Sequence, residues 1–117
     1  MAGNTAVVVN IAMFQGEDRI ISDTIYAPNG NVQNISGWNV AFSMFALSDP
    51  STVFVSKTVA GGGINLSDPT NGVLQVLIAR ADTISVFTGQ YEYSVVRTDP
   101  GNDITLSRGL FSLLSTA

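Results

Sequence analysis

Trp38-Asn39-Val40-Ala41-Phe42-Ser43-Met44-Phe45-Ala46-Leu47 reads as alternating positions, with large apolar side chains recurring at every second residue from Trp38 to Met44. A period of two belongs to a β-strand, whose successive side chains point to opposite faces. Trp38, Val40, Phe42 and Met44 share one face; Ala41, Ser43, Phe45 and Leu47 share the other. The second face turns apolar toward its end, so the strand is expected to be covered on both sides there.

The same reading extends in both directions. Before this strand come Thr5 to Phe14, rich in Val and Ile, and Arg19 to Tyr26, separated by Gln15-Gly16-Glu17-Asp18. Ala27-Pro28-Asn29-Gly30 is a turn, because Pro28 pre-sets its own φ and Asn29-Gly30 accepts positive φ. Val32 to Gly37 reads as an irregular crossing. After the strand, Ser48-Asp49-Pro50-Ser51 is expected to turn the chain into Thr52 to Val59, with Val53, Val55 and Lys57 on one face and Phe54 on the other. Gly61-Gly62-Gly63 marks a turn or bulge. Ile64 to Leu66 leads into the turn Asp68-Pro69-Thr70-Asn71-Gly72, and Val73 to Ala79 then presents Leu74, Val76 and Ile78. Ala81 to Ser85 suits one helical turn capped by Asp82 or a neighbour, ended by Gly89. Gln90 to Thr98 places Tyr91, Tyr93 and Val95 on one face. Asp99-Pro100-Gly101-Asn102 turns into Ile104 to Leu114, where Arg108-Gly109 suggests a bulge or an edge. No segment keeps helical periodicity for three turns. About seven strands with evenly spaced turns predict an all-β fold, an antiparallel β-sandwich with one short helical turn. Residues 1–117 are read as a single domain, with 1–14 as an N-terminal arm or extra strand.

Composition narrows the chemistry. The 117 residues contain no cysteine and no histidine, which excludes thiolate and imidazole catalysis and the commonest metal ligands. Charged residues are 12% of the chain, the formal net charge is −4 and Lys57 is the only lysine, so no basic face for nucleic acid is expected. Mean hydropathy is +0.30. With so few charges, part of the surface must be neutral and moderately apolar, as interfaces are. Met1 to Phe14 lacks the positive start and the unbroken apolar run of a secretion signal, and no stretch approaches a membrane helix. No membrane partner and no cofactor are expected.

The acidic residues do not assemble into a reactive pattern. Asp68, Asn71, Asp99, Asn102 and Asp103 offer oxygen atoms for calcium, but they lack a calcium loop's spacing and sit on turns, where such side chains bond to their own backbone. Glu17 and Asp18, with Asp23 and Glu92, are the only carboxylates to weigh as acid–base pairs. Glu17 and Asp18 are adjacent on a turn and should diverge. Gly61-Gly62-Gly63 is no phosphate loop, since neither a Lys-Ser/Thr pair nor a helix follows it. No catalytic, cofactor or metal residues are therefore assigned, and no enzyme is expected.

Several segments, in order, carry a resemblance. They are Gln15-Gly16-Glu17-Asp18, Pro28-Asn29-Gly30-Asn31, Ile35-Ser36-Gly37-Trp38, Gly63-Ile64-Asn65-Leu66 and Asn71-Gly72-Val73-Leu74-Gln75-Val76, then Ala81-Asp82-Thr83 with Gly89-Gln90-Tyr91-Glu92-Tyr93. This set resembles the immunoglobulin-like sandwich domain at the N-terminus of bacteriophage baseplate upper proteins, and related small phage virion proteins, over roughly Gln15 to Leu113. Set against the long baseplate proteins, the resemblance implies a sandwich without their receptor-holding or fibre part, with Met1 to Phe14 expected as an addition.

The resemblance implies a non-enzymatic virion structural protein, in tail, baseplate or neck or as a capsid decoration. Its partners would be copies of itself in a symmetric homo-oligomer and other virion proteins. A carbohydrate- or cell-surface-binding module of a phage fibre is the alternative. Trp38, Phe42, Tyr91 and Tyr93 are the expected core anchors, with Tyr91 placed for a tyrosine corner and Tyr93 standing where antibody domains place a cysteine. Thr5, Val7 and Val9 at one end of the chain, and Leu110, Leu113 and Leu114 at the other, are the candidate assembly contacts, because both segments are β-prone and uncharged.

Overall fold

The computed structural model describes residues 7–115, the side chain of Val7 excepted. In chain order the elements are β1 (Val7–Val8), β2 (Ile11–Phe14), β3 (Arg19–Thr24), β4 (Val40–Ala46), β5 (Asp49–Thr58) and β6 (Ile64–Asp68). A 3-10 turn (Pro69–Asn71), β7 (Val73–Ile78), the single helical turn α1 (Arg80–Thr83), β8 (Gly89–Arg97) and β9 (Ile104–Leu114) complete the set. They form two sheets, the larger in the order β1-β9-β8-β4-β5 with β2 continuing β1 along β9, the smaller in the order β3-β7-β6. This is an all-β sandwich with the strand order of an immunoglobulin-like fold.

The core lies between the sheets and follows the alternation. Val40, Phe42 and Met44 on β4, Leu74, Val76 and Ile78 on β7, and Tyr91, Tyr93 and Val95 on β8 are all buried. Phe42, Tyr93 and Phe111 make an aromatic cluster at its centre, with ring centroids 5.8 and 6.4 Å apart. Ile35, in the crossing before β4, is fully buried and donates its N–H to the Pro69 carbonyl.

Several elements differ from the sequence reading, each for a local reason. The strand expected from Thr5 is two strands, broken at Val9-Asn10, and both run parallel to β9. Thr5 lies outside the described residues. The turn after β4 is the two-residue Leu47-Ser48, with Ser48 at φ 61°, and Asp49-Pro50 already belongs to β5. Pro50 is tolerated because β5 is an edge strand. A register shift opposite Met44/Phe45 pairs Phe45 with Val53 and leaves Phe54 to pack edge-on against Tyr91, so the expected alternation of β5 breaks. The irregularity in β9 falls at Leu106, between the Ser107–Val95 and Thr105–Val96 pairs, and not at Arg108-Gly109.

One corner of the fold is latched. The Gly16 N–H donates to Thr83 Oγ1 at 2.9 Å, the Gln15 amide reaches the carbonyls of Ile84 and Val86, and Asp18 accepts the Arg80 N–H at 2.8 Å. Asp82, in α1, accepts the Ala79 N–H at 2.7 Å and pairs with Lys57 on β5 at 2.7 Å. The turn between β2 and β3 is thus tied to the turn between β7 and β8.

Candidate functional site

The two terminal segments meet each other. Ile11, Ala12, Met13 and Phe14 pair with Phe111, Ser112, Leu113 and Leu114, and Val7 and Val8 pair with Ser107 and Arg108. Backbone groups that the sequence offered to a partner are in part spent within the chain. Leu113 is shut in the core and offers a partner nothing, which corrects its place among the assembly contacts. Leu110 is half-buried on the outer face, while Val9 and Leu114 stay exposed.

At the break between β1 and β2, the Tyr93 hydroxyl donates to the Val9 carbonyl, and Asn10 Oδ1 accepts the Leu110 N–H at 3.1 Å. Gly109 is required below this point, because a Cβ there would lie 2.0 Å from the Val9 oxygen. Tyr93 thus serves the arm as well as the core.

A polar group sits under the arm. Asp23, on the inward-facing register of β3 with Ile21 and Ile25, lies within hydrogen-bonding reach of Ser107, which also reaches Tyr93. Burial pushes the Asp23 carboxyl up against the opposing hydrogen bonds of Ser107 and the Thr24 backbone. Burial, then the nearby Asp23 charge, pushes the Tyr93 phenol up to about 12. A cavity of about 110 Å³, bordered by Val9, Ile11, Asp23, Phe42, Tyr93 and Ser107, lies beside them. Its lining is mainly apolar and offers no second carboxylate to Asp23.

The other flagged side chains are engaged in holding turns. Tyr91 makes the expected corner, its hydroxyl donating to the Phe87 carbonyl. Trp38, expected as a core anchor beginning the strand, is instead half-buried at the rim of the core and lies ahead of β4. The Arg97 guanidinium lies 4.0 Å over its ring and also binds Asp99 at 2.8 Å. Arg97, then the Asn39 backbone N–H, holds the Asp99 carboxyl below the usual carboxylate range. Asp68 accepts the Asn71 amide at 3.0 Å, and Glu17 accepts the Phe14 N–H at 3.0 Å. Among the described residues no three His, Cys, Asp or Glu side chains gather as metal ligands.

The outer face of the larger sheet carries mainly small polar and apolar side chains. By register it carries Ala12 on β2, Arg108, Leu110 and Ser112 on β9, Glu92, Ser94 and Val96 on β8, and Ala41, Ser43 and Phe45 on β4. A shallow trough of about 560 Å³ crosses it between Val8, Phe45, Glu92, Arg108 and Leu110. Glu92 accepts the Ser48 N–H at 2.7 Å. A second apolar region gathers at the end of the sandwich where β2 and β9 finish. There Phe14 pairs with Leu114, Ile84 lies over Gly16, and Phe87 is 89% exposed. The sequence reading passed over Phe87; its signal was an aromatic stranded between the helical turn and Gly89, outside any alternation.

Known proteins place this architecture. No family model matches the sequence, and no curated protein matches it. Among solved structures it is similar to the "N-terminal domain of phage TP901-1 ORF48", with a TM-score of 0.53 and 18% identity over 91% of this chain and 83% of that one. The chain shares its fold with a domain from a phage. A family 123 glycoside hydrolase from Clostridium perfringens also aligns, at a TM-score of 0.38, 14% identity and 23% of its own length, and carries no argument.

Proposed function

We propose that the chain is a non-enzymatic virion structural protein of a bacteriophage, working by protein–protein assembly with copies of itself and with other virion proteins. The observation that carries this reading is the fold shared with the phage domain over 91% of this chain and 83% of that one. Two features of the surface support it. The outer face of the larger sheet is broad and nearly uncharged, and Phe87 stands exposed on a corner fixed by the Tyr91 hydroxyl. Surfaces of this kind act by shape and buried area. The carboxylates face different tasks: Glu17 and Asp18 hold turns, Asp23 points between the sheets, and Glu92 lies on the outer face. Tyr91 and Tyr93 are turned inward, so that pair provides no stacking platform for a sugar.

Immunogold electron microscopy tests the reading, with antibody raised against the purified chain and particles of the phage that encodes it. Label at a fixed place on intact particles is expected. Particles free of the chain would overturn the proposal.

A further inference from the structure

We propose that the outer face of the larger sheet is a self-association surface, on which two copies pair about a two-fold axis through reciprocal Arg108–Glu92 contacts; this rests on the assembly reading above. The edges of both sheets are poorly suited to a second copy. β5 carries a register shift and Pro50, β3 turns Asp23 inward, β6 is five residues long with a register shift, and the β1–β2 edge is broken at Val9-Asn10. Shifts, prolines, short strands and inward charges are what keep edges from pairing. The faces are left.

The outer face of the larger sheet is self-complementary in charge. By register its outward positions carry two charged side chains among the described residues, one of each sign, Arg108 and Glu92, while Asp49, Lys57 and Arg97 pair with the inward parity of β4 at Ala46, Phe42 and Val40. Ser94 opposes Arg108 and Leu110 opposes Glu92, so the two charges are diagonal neighbours across β8 and β9, and they are not ion-paired with each other. Glu92 gives one carboxylate oxygen to the Ser48 N–H and keeps the other. A two-fold axis lying in the interface plane, perpendicular to the line between the charges at its midpoint, sets each Arg108 over the Glu92 of the other copy. A face of one sign would repel its own copy; this face attracts it.

The area is sufficient. Five strands about 4.8 Å apart and about seven residues long present roughly 550 Å² per copy. The pair would bury about 1,100 Å², near the lower end of stable interfaces. Small side chains at Ala41, Ser43, Ser94 and Ser112 let the sheets approach, and Phe45 and Leu110 border the trough.

Sedimentation equilibrium of the full chain tests this with Arg108→Glu, Glu92→Arg and the double swap, each checked by circular dichroism for an intact fold. The chain is expected to dimerise. Each single change should raise the dissociation constant about tenfold or more, and the double swap should restore it to within about threefold. Ile20→Lys, on the smaller sheet, should leave it unchanged. A dimer indifferent to both single changes overturns the face, and a monomer at the highest attainable concentration overturns the pairing. Immunogold label on particles would leave the virion reading standing in either case.

Discussion

Asp23 shows how one side chain can cost stability and still guard a strand. It sits on β3 at the register of Ile21 and Ile25, where an apolar residue would bury more favourably. Burial raises its carboxyl pKa, so the folded chain holds this proton to a higher pH than the unfolded chain. Between the two values the native state binds more protons, and stability falls as pH rises through that window and stays lowered at neutral pH. Asp23→Asn keeps the shape and an acceptor for Ser107 while removing the charge. Thermal melts should show a higher Tm than wild type at pH 7, with the gain shrinking as the pH falls toward about 4 and gone below it. A gain of equal size at both ends of the range would mean that the charge is not its cause. Ser48 stores a different cost, a non-glycine residue at φ 61° in a two-residue hairpin. The N–H it donates to the Glu92 carboxylate belongs to the backbone, so Ser48→Gly retains that bond. That change should stabilise the chain by about 0.5–1 kcal/mol in urea unfolding, and a loss would show that the serine side chain holds the turn.

Strands β1 and β2 depend on β9 for their ladder partners and on Tyr93 and Asn10 for their seating. Gly109→Ala sets a methyl group against the Val9 carbonyl, so the arm or β9 must move. The expected cost is about 1–3 kcal/mol in denaturant unfolding, with a change in the near-ultraviolet signal of Tyr93. Wild-type stability would mean that the arm does not rest on β9. The same elements mark where the sequence was legible. β4, β7 and β8 were readable because each has one face in the core and a uniform period of two, so parity alone names Phe42, Val76 and Tyr93. Parity failed on β5, where the shift beside Phe54 exchanges faces, because a bulge leaves no mark in an apolar run. The partner of the terminal strand was illegible for another reason. Ile11 and Phe111 are joined by a contact across the whole chain, and alternation carries no information about which edge a strand will choose. Gly109 was the visible clue, and its meaning depends on the Val9 oxygen above it.

The molecule measures 44 × 27 × 24 Å, and its apolar surface is unevenly spread over that length. Phe14, Ile84, Phe87 and Leu114 are exposed around the end where β2 and β9 finish. Phe87 is the most exposed large hydrophobic residue among those described, yet the Tyr91 hydroxyl fixes its carbonyl, so the ring is presented with little backbone freedom to lose on binding. A pre-positioned aromatic of this kind is the usual anchor of a protein interface, where truncation costs about 2 kcal/mol or more. Phe87→Ser removes the ring and keeps the carbonyl that Tyr91 holds. At 89% exposure the ring contributes little to folding, so Tm should stay close to wild type. In particles grown with the variant in place of the wild type, label at the attachment point should fall, toward roughly thirtyfold weaker attachment where the site is not saturated. Folding and attachment are thereby separated in one substitution: unchanged melting with undiminished label would mean that this end of the sandwich faces solvent in the particle.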